Sequence, residues 1–206
     1  MGGGHRQAVA RRSVASFALR PARPTDAPEL AEFGARSFRD TFAAHNRPED
    51  MDAYVSLAYG EPQQSAELAD PRVSVLVAQA DDGTLIGYAV VRRAPDEAPP
   101  CVTGERPAEL ARLYVDHGWH GRGVGEALMR EVVDRAAEGG ADTLWLGVWE
   151  HNPRARAFYA RWGFSEVGEH PFPLGADIQR DLLLARPLRP RSGGSVDPRG
   201  QADRPG

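Results

Sequence analysis

Apolar positions along this chain follow two rhythms, arranged in alternating blocks. Residues 73–80 and 85–91 are short runs rich in β-branched side chains. Asp81-Asp82-Gly83 separates them, which predicts a β-hairpin. Residues 17–20, 110–115, 143–149, 164–167 and 178–184 read as further strands. Elsewhere the period is helical. Leu30, Phe33, Ser37, Phe38 and Phe42 recur at helical spacing behind a start at Thr25 and Asp26, with Glu29 placed to complete a capping box with Asp26. Pro48 opens a second helix with the stripe Met51, Tyr54, Val55 and Ala58; Glu49 and Asp50 in its first turn suit the macrodipole. Residues 63–68 predict a short third helix closed by Asp70-Pro71. Residues 124–137 carry Leu128, Val132 and Ala136 on one face and stop at Gly139-Gly140. Residues 153–162 begin with proline and end at Gly163, a C-cap signal. Strands and helices in this order predict a central mixed sheet flanked by helices.

The chain of 206 residues, 41% hydrophobic and 26% charged, fits one domain with a normal core. Residues 16–186 form that domain. Residues 1–15 and 187–206 are poor in apolar side chains and are expected to be disordered. The net charge of −4 argues against a nucleic-acid partner. No apolar run approaches the ~20 residues needed to cross a bilayer, so no membrane partner is expected. The only cysteine, Cys101, lies in a Pro-rich stretch; it cannot form an internal disulfide and points to a reducing cytoplasm. No metal site is expected, because His117, His120 and His151 lack ligand spacing.

The chemistry lies in one loop. His120-Gly121-Arg122-Gly123-Val124-Gly125 sits between a predicted strand and a predicted helix. Its glycines let the backbone turn tightly, and its free N–H groups with the helix N-terminus suit an anion such as pyrophosphate. A Walker loop would end Gly-Lys-Ser/Thr, whereas this one ends Gly125-Glu126-Ala127. A dinucleotide fingerprint would need glycine at 126. The residues alone leave a phosphate loop and a purely structural glycine turn both open.

Leu113-Tyr114-Val115, the loop motif His120-x-x-Gly123-x-Gly125, and the run Asn152-x-x-Ala155-x-x-Phe158-Tyr159-x-x-x-Gly163-Phe164 resemble the GNAT superfamily of N-acetyltransferases. His120 stands where that family usually has Arg or Gln. The resemblance implies a mostly antiparallel α/β fold with about seven strands, helices on both faces and acetyl-CoA as acetyl donor. It places the cofactor against Leu113, Tyr114, Val115, His120, Gly121, Arg122, Gly123, Val124, Gly125, Asn152 and Tyr159. Phe38-x-x-Thr41-Phe42, the helix at Pro48-Glu49-Asp50, Trp145-Leu-Gly-Val-Trp149-Glu150, and Gly175-x-Asp177-x-Gln179-x-Asp181 are similar to the PaiA-type branch, whose members acetylate polyamines. Arg180 within the last motif departs from the small residue expected there.

The implied acceptor is a small-molecule amine attacking the thioester directly in a ternary complex. Tyr159 is the candidate proton donor, with packing as its alternative role. Glu109 is the preferred base, directly or through water, and Glu150 the second choice. Asn152 would touch the pantetheine arm or cap the helix of Tyr159. Trp145 and Trp149 share a strand face, and core packing is their expected role. Other readings are an acetyltransferase acting on a protein, peptide or amino acid, and a silent CoA-binding regulatory module. Dimers are common in the family, so a homodimer is the oligomer it suggests.

Overall fold

A computed structural model describes residues 16–93, 95–175 and 177–188. The expected tails at 1–15 and beyond 188 lie outside the described residues. The sheet has seven strands: β1 Phe17–Pro21, β2 Val73–Ala80, β3 Leu85–Arg92, β4 Pro107–Val115, β5 Thr143–Trp149, β6 Ser165–Leu174 and β7 Asp177–Pro187. Among the described residues five α-helices flank it: α1 Ala27–Phe42, α2 Pro48–Ala58, α3 Glu61–Ala69, α4 Val124–Glu138 and α5 Pro153–Arg161. The strand order is β1-β2-β3-β4-β5-β7-β6, antiparallel throughout except for the β4–β5 pair. The mixed, mostly antiparallel α/β architecture expected from the sequence is the one found.

Alternation decides which side chain serves which layer. Leu76, Ala89, Leu144, Leu146 and Val148 pack on α4 and on Tyr159 and Phe164, joined by Ile86, the extra residue at the register shift between β2 and β3. Val77, Tyr88 and Val90, one residue out of phase, pack with Leu30 and Phe33 of α1 on the other face. β3 is therefore buried on both faces, which accounts for its nearly unbroken apolar run. Phe38, Met51, Val55, Tyr59 and Leu174 form a third cluster under α1 and α2. Gly34 is needed there, since a Cβ would come within 2.6 Å of the Tyr59 ring and 2.7 Å of the Tyr88 hydroxyl.

Two local expectations are corrected. Asp26 and Glu29 do not form a capping box. Asp26 accepts from the Arg23 N–H at 2.6 Å and pairs with Arg20, while Glu29 accepts from the Leu85 N–H at 3.3 Å. A 3-10 turn at Pro24–Asp26 precedes the helix and claims the aspartate for its own backbone. The last two strands are also much longer than the apolar runs suggested. β6 and β7 pair from Ser165↔Ala185 to Leu174↔Asp177, and Leu188 beyond them is buried. Backbone pairing carries this hairpin through Glu169, His170, Pro171 and Arg180, where hydropathy gives no sign of a strand. Among the described residues no helix is long and apolar enough to cross a membrane.

Glu67 of α3 is 5% exposed and accepts from Arg92 at 2.6 Å and Arg112 at 2.5 Å, binding the helix to β3 and β4. Burial acts to raise its carboxyl, but the two guanidiniums outweigh that and hold it below the usual range. Glu67→Ala would leave Arg112, 10% exposed, without its carboxylate and Arg92 with only the longer contact to Glu109, and should cost about 3 kcal/mol. Urea unfolding checks this against Arg39→Ala, which breaks only the exposed pair with Asp52; equal midpoint shifts for the two variants would show that the network carries no stability.

Candidate active site

β4 and β5 are joined only at their starts, through Pro107↔Thr143, Ala108↔Leu144 and Glu109↔Trp145. β4 then continues to Val115 and β5 to Trp149 with no ladder between them. The unpaired stretch of β4 is about 20 Å long at ordinary strand rise. A bulge contributes to the parting. Val90 pairs with Arg112 and Val91 with Leu110, so Ala111 is the extra residue that bends β4. A cleft of about 770 Å³ fills the gap, and Glu109, Leu113, Tyr114, Val115, His120, Gly121, Gly125, Asn152 and Tyr159 all line it.

At the open end of the cleft, β4 runs into a 3-10 turn, His117–Trp119, capped by Asp116 on the Gly118 N–H at 2.9 Å. Gly121 and Gly123 have φ of +73° and +85°, a left-handed backbone that other residues adopt at a cost. Gly123 is the N-cap of α4, and the first N–H with a helical acceptor is that of Ala127, bonded to the Gly123 carbonyl at 3.0 Å. The N–H groups of Val124, Gly125 and Glu126 are the orphan donors of the helix start. Val124 reaches the site only through its backbone, because its side chain is buried at 1% exposure. Arg122 lies over the Trp119 ring at 5.3 Å and does not line the cleft. The His120 Nε2 lies 2.8 Å from the Val115 carbonyl, clasping the loop to the end of β4. Burial and then Arg154 hold the imidazole below its ordinary pKa.

α5 forms the far wall. Asn152 caps it, accepting from the Ala155 N–H at 3.0 Å, and Pro153 starts it. Tyr159 on its second turn is 9% exposed, edge-on to Phe158 and Phe164, and burial pushes its phenol up to about 12. Phe158 lies 3.6 Å from where a Gly125 Cβ would stand, so the start of α4 closes on the middle of α5.

Glu109 marks the closed end. Burial raises its carboxyl above the usual range, opposed by Arg92 at 3.6 Å. Trp145, Gly147 and Trp149 face the cleft, and Leu144, Leu146 and Val148 take the core. Trp149 forms a wall with Phe42 and His45, at ring distances of 5.4 and 5.2 Å. The core role expected for the two tryptophans is therefore corrected only for Trp145, which is half-buried in the cleft wall; Trp149 lines the cleft but is itself buried, at 8% exposure. Alternation correctly put them on one face, but which face met solvent depended on where β4 had gone.

The model of the Acetyltransferase (GNAT) family matches residues 35–164, more than half of the chain. The chain belongs to this family. It is similar to an uncharacterised N-acetyltransferase of Mycobacterium tuberculosis, with 38% identity over 164 residues, covering 80% of this chain and 99% of that one. It is also similar to the N-alpha-acetyltransferase RimI of M. tuberculosis, with 36% identity over 102 residues, covering 50% of this chain and 58% of RimI. Among solved structures, PaiA N-acetyltransferase of Thermoplasma acidophilum in complex with coenzyme A shares the fold. Its TM-score is 0.64 at 20% identity, covering 84% of this chain and 99% of that one.

This GNAT N-acetyltransferase has a further buried carboxylate in its cleft besides Glu109, Asp181. Asp181 on β7 lies beside Trp149 and His170 in the sheet register, with its side chain 15% exposed. Burial pushes its carboxyl up to about 6, and the His170 ring at 4.0 Å opposes this only in part. The sequence signal was the alternation Asp177, Gln179, Asp181, which puts these residues on one face of a strand. Arg180, out of phase with them, is exposed and paired with Glu150 at 2.5 Å and Glu169 at 3.0 Å. It does not line the cleft. The same pairing removes Glu150 as a base candidate: Arg180 holds its carboxylate below the usual range, outside the cleft.

Because the folded-state value for Asp181 lies above the ordinary 3.8, its contribution to stability is full below that pH and is lost as pH rises to about 6. Asp181→Asn should therefore stabilise the protein near neutral pH by about 2 kcal/mol. The gain should vanish in acid, as read from denaturant midpoints across pH. A gain that persists unchanged in acid would place its origin elsewhere.

Proposed function

We propose that the protein transfers an acetyl group from acetyl-CoA to a primary amine of a small molecule in a ternary complex. One observation carries this reading: the anion cradle at the start of α4, the unpaired edge of β4 and the Tyr159 phenol all open on the same cleft. The residues fit the donor. The free N–H groups of residues 124–126 suit its pyrophosphate, and Leu113, Tyr114 and Val115 offer a strand edge to its extended arm. Arg154 and Arg161 also line the cleft and suit its phosphates.

Bound acetyl-CoA supplies an activated acyl carbon; the chain supplies orientation and proton handling. An aliphatic ammonium has a pKa near ~10 and must lose a proton before it attacks. Glu109 takes that proton, directly or through water, aided by the burial that raises its proton affinity. The unpaired edge of β4 beyond Glu109 donates a backbone N–H to the acetyl oxygen. As the N–C bond forms and the C–S bond breaks, Tyr159 gives its proton to the departing thiolate. Burial keeps that phenol protonated, the state a donor needs, and Asn152 holds its helix in place. These intact groups support catalysis over a silent CoA-binding module.

The acceptor we assign is a polyamine-type amine, on the PaiA-like pattern Gly175, Asp177, Gln179 and Asp181. Arg180 no longer opposes this, since its charge is spent on Glu150 and Glu169. A protein N-terminus is the second reading, favoured by the likeness to RimI. We assign the protein to the cytoplasm, on its single cysteine.

Tyr159→Phe should lower kcat about 100-fold while calorimetry finds acetyl-CoA affinity little changed; an undiminished kcat would exclude Tyr159 as the acid. Gly123→Asp puts a side chain on a backbone with φ of +85° and a negative charge on the anion cradle. Acetyl-CoA affinity should fall by more than about tenfold, and equal affinity would remove the pyrophosphate assignment.

A further inference from the structure

The half-buried ring of His120 stands where the end of β4 meets the anion cradle. Its Nε2 lies 2.8 Å from the Val115 carbonyl. A carbonyl only accepts, so Nε2 carries the hydrogen, and Nδ1 is the bare nitrogen of the neutral ring. The ring lines the cleft with Gly121, Gly125 and Glu126, the last of these in the first turn of α4. Two cationic groups act on it. Arg154 does so from α5, and His117 from the 3-10 turn, with the two imidazole centroids 4.6 Å apart. Asp116 opposes them, but it is also committed to the Gly118 N–H and to Arg36 of α1 at 3.8 Å. Burial, and next Arg154, favour the neutral ring. An anion in the cradle reverses the second effect, because it pairs with Arg154 and adds negative charge beside the imidazole.

We propose that His120 gains a proton when acetyl-CoA binds, so that an imidazolium meets the pyrophosphate and affinity for the donor falls as pH rises. This deepens the acetyl-transfer reading and rests on it. The neutral ring has one hydrogen and gives it to Val115. The protonated ring keeps that bond and gains a second donor. The clasp on β4 therefore survives the change, and the added charge acts on the ligand. The sign follows from the bound state holding more protons than the free state. The gain in affinity is complete below the value of the free ring, itself under the ordinary 6.5. It is lost as pH rises to the higher value of the bound ring.

Calorimetry of acetyl-CoA binding to the full-length protein near pH 7, in buffers of differing ionisation enthalpy, counts the protons exchanged. Wild type should take up on the order of half a proton more than His120→Gln. Glutamine keeps an N–H for the Val115 carbonyl but does not titrate. The phosphate monoester of the ligand, with a pKa near ~6, contributes to both proteins and cancels in the difference. Wild-type affinity should fall about threefold more than that of His120→Gln between about pH 6 and about pH 8. Coenzyme A should give the same difference as acetyl-CoA, because the two share the pyrophosphate. His117→Gln should keep the wild-type count. Equal counts in wild type and His120→Gln, or a loss in His117→Gln instead, overturn the proposal. An NMR titration of the His120 ring in wild type, with and without coenzyme A, reads the same proton without any variant; a ring pKa that does not rise on binding also overturns it. These outcomes leave acetyl transfer intact. A wild type that binds neither acetyl-CoA nor coenzyme A overturns the acetyl-transfer reading, and the proton linkage with it.

Discussion

The structure depends on one interrupted ladder. β4 and β5 run parallel and begin as neighbours, but they exchange backbone contacts only as far as Glu109 and Trp145. Elsewhere in a sheet, buried backbone donors and acceptors left without partners would be costly. Here the cost is offset on both sides. β4 keeps its full ladder with β3, bulge included, and β5 keeps its ladder with β7 along its whole length. Each strand is held by its other neighbour, so the gap stays open within a rigid frame. The cleft is therefore built on strands, which hold geometry better than loops.

The same parting explains the distribution of charge. Glu109 sits at the vertex and Asp181 near the open end, and both are desolvated by the walls of the gap. Glu67 lies behind the vertex, where it engages Arg92 and Arg112 and leaves Arg92 only a longer contact with Glu109. Arg112 also lies over the Tyr59 ring at 5.1 Å, and Tyr59 shares a 2.9 Å hydrogen bond with Tyr114. Glu109 is thus left with the longer Arg92 contact and Asp181 with His170 at 4.0 Å, while Arg180 is held by Glu150 and Glu169.

Short-range chemistry was legible in the sequence. The glycine loop, the cap at Asn152, the proline start of α5 and the stop at Gly163 are local devices, and each acts within a few residues of itself. So are the hairpin at Gly83 and the helix opened by Pro48. The capping box at Asp26 misled because Asp26 had two local uses, and Arg20 and the turn at Pro24 decided between them. The length of β6 and β7 was not legible, because half of that hairpin carries charged and proline residues and is held by pairing.

What the sequence by itself determined was the set of elements, the anion loop and the membership of Tyr159 and Asn152 in one helix beside it. These follow from the 2.0 and 3.6 periodicities and from capping chemistry, which need no partner from elsewhere in the chain. Only the tertiary structure decided which face of β5 became a wall, that Asp181 and His170 met over Gly147, and that Arg180 and Glu150 neutralised one another outside the cleft. Strand alternation says which residues travel together but not which side is empty, and that depends on where β4 and β5 part.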